Sequence, residues 1–365
     1  MGKLGLQSIL WRRIGISEFR TQFLVRLGSL APVLTLAALV FFFSVVSPSF
    51  LTVPNLLNIA AQISILALVA GGMTFVVLAG EIDLSVANMA TMAGIIMALA
   101  YNSDVLLLKD NVFTSTLVAI LAAAGIGSVT GFVVTKLGIP SFAATLAAMQ
   151  ISRGITLVLT QARPIYNVPP SLSDIGSARV GSIPILGLIA VGTLVLFHLI
   201  LHYSRFGRYI YAVGGNRTAA KLVGIQVHWI TFSCLVLSAV VSGVAGVLNV
   251  GRLGSAQTFG SEDLLIDSLA AVVIGGASLF GGVGNIGGTV VGILILGVLN
   301  NGLNQMMANV FAKYLFKGLI LLGALVINIL SIRLRDRAAE MAREALFVAE
   351  EDSACVEVAS GDGAS

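Results

Sequence analysis

The sequence predicts an all-α integral membrane protein of about ten transmembrane helices. Three observations lead there. Hydrophobic residues make up 57% of the 365-residue chain and charged ones only 10%, against about a quarter charged in soluble domains. The apolar residues fall in runs near the ~20 needed to cross ~30 Å of hydrocarbon, and none alternates with the period of two that a barrel strand requires. Backbone groups in the bilayer must be bonded internally, which makes helix the default. The 40 glycines suit a tightly packed bundle, because small residues let helix backbones approach closely, as at Gly127/Gly131 and Gly288/Gly292.

Taken in order, residues 1–29 read as a basic amphipathic segment whose Leu10, Trp11, Ile14, Phe19 and Phe23 suit the membrane interface. Its mixed composition is unlike the short basic start of a cleavable signal. The transmembrane domain follows over 30–331, with spans expected near 30–47, 56–79, 84–101, 113–135, 140–160, 183–202, 229–250, 264–280, 286–308 and 311–331. Residues 332–365 form a polar tail, acidic after Arg337 and expected to be disordered toward its end. With the first segment inside, fourteen of the 21 basic residues fall in cytoplasmic segments: Lys3, Arg12, Arg13, Arg20, Arg26, Lys136, Arg205, Arg208, Arg217, Lys221, Arg333, Arg335, Arg337 and Arg343. The positive-inside rule then places both termini in the cytoplasm, and an even span count is required to do so. Cys234 lies in an apolar run and Cys355 in the tail, so neither belongs to a disulfide framework.

One cytoplasmic segment is too long for a turn. Residues 203–228, YSRFGRYIYAVGGNRTAAKLVGIQVH, carry four basic residues and no acid. After a break at Gly214-Gly215, Asn216 is placed to cap a short helix that Gly224 ends. Such an insert reads as a docking element for something outside the membrane.

Enzymatic chemistry finds little support. There is no GxxxxGK[ST] nucleotide loop, and the glycine-rich run 275–288 (GGASLFGGVGNIGG) lacks a lysine, so ATP hydrolysis by this chain is not expected. His198 and His202 are spaced i, i+4 with no third ligand nearby; they read as an interfacial pair, and no metal is expected. Two apolar hairpins are broken by polar, glycine-bearing stretches, 78–85 (LAGEIDLS) and 275–288. Broken segments in corresponding halves of a chain mark transport paths and internal repeats in transporters; tight cytoplasmic turns are the other reading. Glu81, Asp83, Arg153 and Asp267 are ionisable at or near membrane depth and so should face protein or water; a structural partner is the plainer role for Arg153. Asn55, Asn58, Gln62, Asn300, Asn301 and Asn304 offer amides to a hydroxylated solute or to neighbouring helices. Ser85 sits beside the first break.

Five stretches carry a resemblance. GMTFVVLAGEIDLSV (Gly72–Val86), IPSFAATLAAMQISRGITLVLTQARPI (Ile139–Ile165), the 203–228 insert, IDSLAAVVIGGASLFGGVGNIGGTVVG (Ile266–Gly292) and GVLNNGLN (Gly297–Asn304) resemble motifs of the membrane permease subunit of ribose/xylose/galactose-type ABC sugar importers. The resemblance implies a fold like that of the vitamin B12-type (type II) importers, with ten helices in pseudo-symmetric halves. It implies that the insert couples to a cytoplasmic ATPase through Arg205, Phe206, Gly207, Arg208, Gly214, Gly215, Asn216, Ala219, Ala220 and Gly224. It also implies a bacterial inner-membrane location, a second permease copy or related permease, and a periplasmic sugar-binding protein that delivers a monosaccharide or small polyol. ATP and magnesium would be bound by the ATPase, with no cofactor in this chain and no nucleic acid among its partners. Glu81, Ala87-Asn88 and Leu265 depart from the motifs, where Gly, Gly-Ser and an acidic residue are usual. An ion-coupled secondary transporter is the alternative, with Asp267 or Glu81 as the titrating acid.

Overall fold

A computed structural model describes residues 31–259 and 262–306, with 315, 316, 318, 319, 322, 323 and 326. The segment 1–29, the tail with Cys355, and most of the tenth apolar run lie outside the described residues. Two compact units are distinguished, Leu36–Lys317 and the two chain ends, Met1–Thr35 with Gly318–Ser365. In the latter, Thr35 Oγ1 donates to the Ala31 carbonyl at 3.0 Å. The functional features lie in the former.

The elements run α1 (Ala31–Val46), α2 (Val53–Leu78), α3 (Val86–Tyr101), α4 (Val112–Lys136), α5 (Ser141–Thr160), α6 (Pro170–Ser177), β1 (Arg179–Val180), β2 (Ile183–Pro184), α7 (Ile185–Tyr203), α8 (Arg205–Gly215), α9 (Arg217–Leu222), α10 (Val227–Leu253), α11 (Glu262–Ile274) and α12 (Ile286–Gln305). Six of them, α2, α4, α5, α7, α10 and α12, are long and apolar enough to cross a membrane. The expected eighth span is shorter than its apolar run. Helix α11 stops after 13 residues, about 20 Å of rise, because Gly276 takes φ +93°, a conformation that ends helices.

Helices α2 and α10 form the centre. Helix α2 is buried without interruption from Ser64 to Leu78, and α10 packs on α2, α3 and α4. By contrast α7 is apolar on all sides but buries only the edge Leu186, Ala190, Leu194, Phe197 and Leu201. Its Val191, Val195, Leu196 and Leu199 stay exposed. An apolar exposed face of this kind is what lipid or another membrane subunit covers. Small residues set the spacing as expected: Gly127 lies against Ala239, Gly131 against the Phe232 ring and Gly292 against the Ala271 carbonyl. Helix α6 and the β1–β2 hairpin stand where only a loop was expected. A proline in the first turn, whose missing N–H costs nothing there, starts α6.

Candidate functional site

Three features that sequence alone picked out separately meet at one end of the bundle. The first is the break after α2. Gly80 takes φ +75°, and the chain from Glu81 to Ser85 runs without helix into α3. Backbone groups freed this way need partners, and α5 supplies them: Ser141 Oγ accepts from the Ile82 N–H at 3.2 Å, and Thr145 Oγ1 donates to the Ile82 carbonyl at 3.2 Å. Asp83 accepts from the Ser85 N–H at 2.9 Å, the Ser85 hydroxyl at 2.6 Å and the Ser238 hydroxyl at 2.7 Å. Burial pushes its carboxyl above the ordinary range, and these bonds pull the other way.

The second break, after α11, folds onto the first. The Gly282 N–H donates to the Leu78 carbonyl at 2.9 Å, and Gly281 packs on the Gly80 backbone. The third feature, the 203–228 insert, closes over both. Gly214 lies against the Leu78 carbonyl and the Gly282 nitrogen, where a Cβ has no room. Tyr211 donates to the Gly284 carbonyl at 2.9 Å, and burial raises its phenol.

The insert contains two helices where one was expected. Arg205–Gly215 is itself helical because Phe206, Ile210 and Val213 make an apolar stripe at i, i+4 and i+7. Phe206 stacks on Phe75 with centroids 6.4 Å apart, while Ile210 and Val213 are fully buried. Ser204 caps α8 through the Gly207 N–H at 3.0 Å. Gly214 and Gly215 are the last residues of α8, so the break falls at Asn216. Asn216 caps α9 as expected, accepting from the Ala219 N–H at 2.9 Å, and Gly224 takes φ +85° beyond its end. Ala220 is buried, yet Leu222 and Val223 at the tip are 84% and 76% exposed. Arg217 reaches back to the break, pairing with Glu81 and donating to the Ala79 carbonyl at 3.2 Å.

At the other end of α2 a second polar feature appears. Asn58 and Gln62 of α2, Asn301, Asn304 and Gln305 of α12 and Arg252 of α10 surround a cavity of about 300 Å³. Asn55 and Asn301 exchange amide hydrogen bonds at 3.0 Å in both directions. Among the described residues, Asn58, Gln62 and Arg252 make no side-chain hydrogen bond. The twenty residues from Asn58 to Leu78 rise roughly 30 Å, so cavity and junction stand a bilayer apart.

The other expected site residues go elsewhere. Asn300 turns from the cavity to Asp267, Nδ2 to Oδ2 at 3.4 Å. Arg153 stands midway along α5 on its exposed side. His198 and His202 stack with centroids 5.4 Å apart. Of the departures from the family motifs, Glu81 is taken up by Arg217, and Asn88 donates to the Met149 carbonyl at 3.2 Å, tying α3 to α5. Leu265 is half-buried in the first turns of α11. Sequence reasoning passed over Arg252, Gln305, Tyr211 and Thr231. Arg252 follows a long apolar run, and nothing in its local pattern aims it at α12.

A bundle of apolar helices, broken at one end under a folded insert and carrying an amide cavity at the other, is a multi-pass membrane transport protein. The chain belongs to the family described as branched-chain amino acid transport system / permease component, whose model matches residues 55–325. It is 37% identical over 322 residues to the ribose import permease protein RbsC of Escherichia coli (strain K12), covering 86% of this chain and 97% of that one. It is 38% identical over 301 residues to RbsC of Bacillus subtilis (strain 168), covering 82% and 92%. To the L-arabinose transport system permease protein AraH of Escherichia coli (strain K12) it is 34% identical over 281 residues, covering 77% and 84%. No solved structure matches the chain.

Proposed function

We propose that this chain is the membrane-spanning subunit of a bacterial ATP-driven importer for a monosaccharide or related small polyol. The observation that carries the proposal is the amide cavity on the axis of α2. Neutral hydroxyls pair with amides as both donors and acceptors, and Asn58, Gln62 and Arg252 keep free donors there. Among the described residues neither aspartate nor glutamate lines the cavity, so these offer no counter-charge to the ammonium group of an amino acid. The names of the ribose and arabinose permeases point the same way.

On this reading α8 and α9 couple to a cytoplasmic ATPase. The exposed Leu222 and Val223, next to Lys221 in the chain, form a small apolar tip with a cation beside it, which suits a protein partner. Arg205, Phe206, Gly207, Arg208, Gly214, Gly215, Asn216, Ala219, Ala220 and Gly224 build and seat that tip. A periplasmic binding protein brings the sugar to the opposite face, both termini lie in the cytoplasm, and ten helices in a type II arrangement make each subunit. The pore forms between two copies along α5. Phe142, Leu146, Gln150 and Arg153 make one exposed stripe on that helix, and a guanidinium at membrane depth must face water or protein, since lipid exposure costs roughly 2.5 to 3.5 kcal/mol or more.

The test is sugar uptake into proteoliposomes holding the chain, its ATPase and its binding protein. Uptake of a pentose or hexose that requires ATP supports the proposal. Uptake driven by a proton or sodium gradient without ATP, or uptake of leucine instead of any sugar, overturns it.

A further inference from the structure

We propose that the cleft between α4, α9 and α10 binds a phosphate group, carried by a soluble phosphate monoester or by an anionic phospholipid headgroup. This site lies beside the coupling junction and is independent of which solute is moved.

The cleft has a volume of about 400 Å³, within the range of small-molecule sites. Four basic side chains line it: Lys136 from the end of α4, Arg217 and Lys221 from α9, and His228 from α10. Among the described residues the one carboxylate that lines it is Glu81, already held by Arg217. Among the described residues Lys136 and Lys221 make no ion pair or side-chain hydrogen bond, so the field in the cleft favours an anion.

Two further observations separate a built site from the ordinary cationic rim of a membrane protein. The first is Thr231, which lines the cleft. It is 3% exposed, and its hydroxyl has no hydrogen-bond partner among the described residues. A positive-inside bias accounts for cations at this end but not for a donor buried unpaired between them, an arrangement that costs stability until an acceptor arrives. The second is the start of α10. This 27-residue helix begins at Val227 with no side chain capping it, and Val227 and His228 of its first turn also line the cleft. In that turn the Val227 N–H is spent on the Ile225 carbonyl at 2.9 Å and the Trp229 N–H on the Gln226 carbonyl at 3.0 Å, so the His228 N–H and the partial positive charge of a long helix are what it presents to an anion. A phosphoryl group has acceptor oxygens enough for the Thr231 hydroxyl, the His228 amide and the two lysines together. Phosphate bound here would tie α9 to α4 and α10, and so bear on how far the coupling helix moves.

The test uses the full chain in phosphatidylcholine nanodiscs and follows thermal unfolding. Inorganic phosphate and glucose 6-phosphate are titrated in one arm; in the other, phosphatidylglycerol replaces part of the lipid in steps. A soluble ligand gives a saturable rise in melting temperature in pure phosphatidylcholine, with the apparent Kd weakened about tenfold by Lys136→Gln and about threefold by Thr231→Val. Thr231→Ser, which keeps the hydroxyl, binds as the unaltered chain does, and Lys109→Gln at the far end changes nothing. A saturable rise in the phosphatidylglycerol arm alone, with the same pattern of variants, assigns the site to a headgroup. No saturable rise in either arm, or a rise that Lys136→Gln and Thr231→Val leave unchanged, overturns the proposal.

Discussion

The pair Glu81–Arg217 links the broken end of α2 to the insert, and its two members should differ in what their loss costs. The Glu81 side chain is 7% exposed and that of Arg217 is 47% exposed. Arg217→Gln leaves a nearly buried carboxylate without its partner. A fully buried pair broken that way loses about 3–5 kcal/mol, whereas an exposed one loses under ~1 kcal/mol. With one partner half in water, about 2 kcal/mol is expected. Glu81→Gln removes the buried charge itself and keeps an acceptor for Arg217, which also holds the Ala79 carbonyl at 3.2 Å. That change should cost only about 0.5–1 kcal/mol. The double variant should therefore cost less than the sum, with a coupling energy near ~1 kcal/mol. Thermal unfolding of the four proteins in detergent measures the cycle, at about 1–2 °C per kcal/mol for a chain of this size. Raising the salt concentration should leave most of the coupling, since the carboxylate is shielded from counterions. If Glu81→Gln costs as much as Arg217→Gln, or the coupling falls below about 0.5 kcal/mol, the pair is a solvated contact and does not hold the insert.

Gly214→Val places atoms on the Leu78 carbonyl and the Gly282 nitrogen; overpacking of this kind costs about 1–3 kcal/mol. ATP hydrolysis by the reconstituted complex should continue while uptake drops, and an unchanged ratio of uptake to hydrolysis would refute the coupling role. Asn58→Leu with Gln62→Leu removes two free amides, each worth about 0.5–1.5 kcal/mol in hydrogen bonds. Sugar uptake should show KM raised about tenfold with basal ATPase activity unaltered; an unchanged KM takes the cavity off the path. Gln150→Cys, made with Cys355→Ser and with Cys234 left in place because it is buried, should form a disulfide-linked dimer under mild oxidation, seen on a non-reducing gel. A monomer band that persists rules out pairing along α5.

Much of the bundle was legible because apolar runs of span length leave few alternatives in a bilayer. The cap at Asn216 and the stop at Gly224 were legible for a local reason, since both depend on residues three or four positions away. Helix α8 was not, because its two terminal glycines read as a break while its apolar stripe is answered by other helices, Phe206 by Phe75 of α2. The site divides on the same line. That Asn58, Gln62, Asn301 and Asn304 share one cavity, and that Asn300 leaves it for Asp267, follows from how α2 meets α12. No spacing within either helix records that. Glu81 stood out as a departure in a motif, but its partner lies 136 positions away. Charge complementarity at that separation becomes readable only once Gly214 has seated the insert on Leu78.

The same contacts bear on why the amides sit where they do. Between Gln62 and Leu78 the buried length of α2 carries only Ser64 and Thr74 as polar side chains, and both are spent: Ser64 on the Ala60 carbonyl at 2.7 Å, Thr74 on the Ala70 carbonyl at 2.7 Å and on Thr289 at 2.9 Å. Buried and without a free donor, this length of α2 is packing and not a channel, in keeping with the proposed passage between two copies along α5. On that proposal selectivity is supplied before the membrane and work after it. The amide cavity and the seated insert are the two places on this chain where such partners would act. Because α2 is one helix from Asn58 to Leu78, a tilt imposed at Leu78 by α8 arrives at the amides. The Gly214→Val variant would sever that link at its narrowest contact.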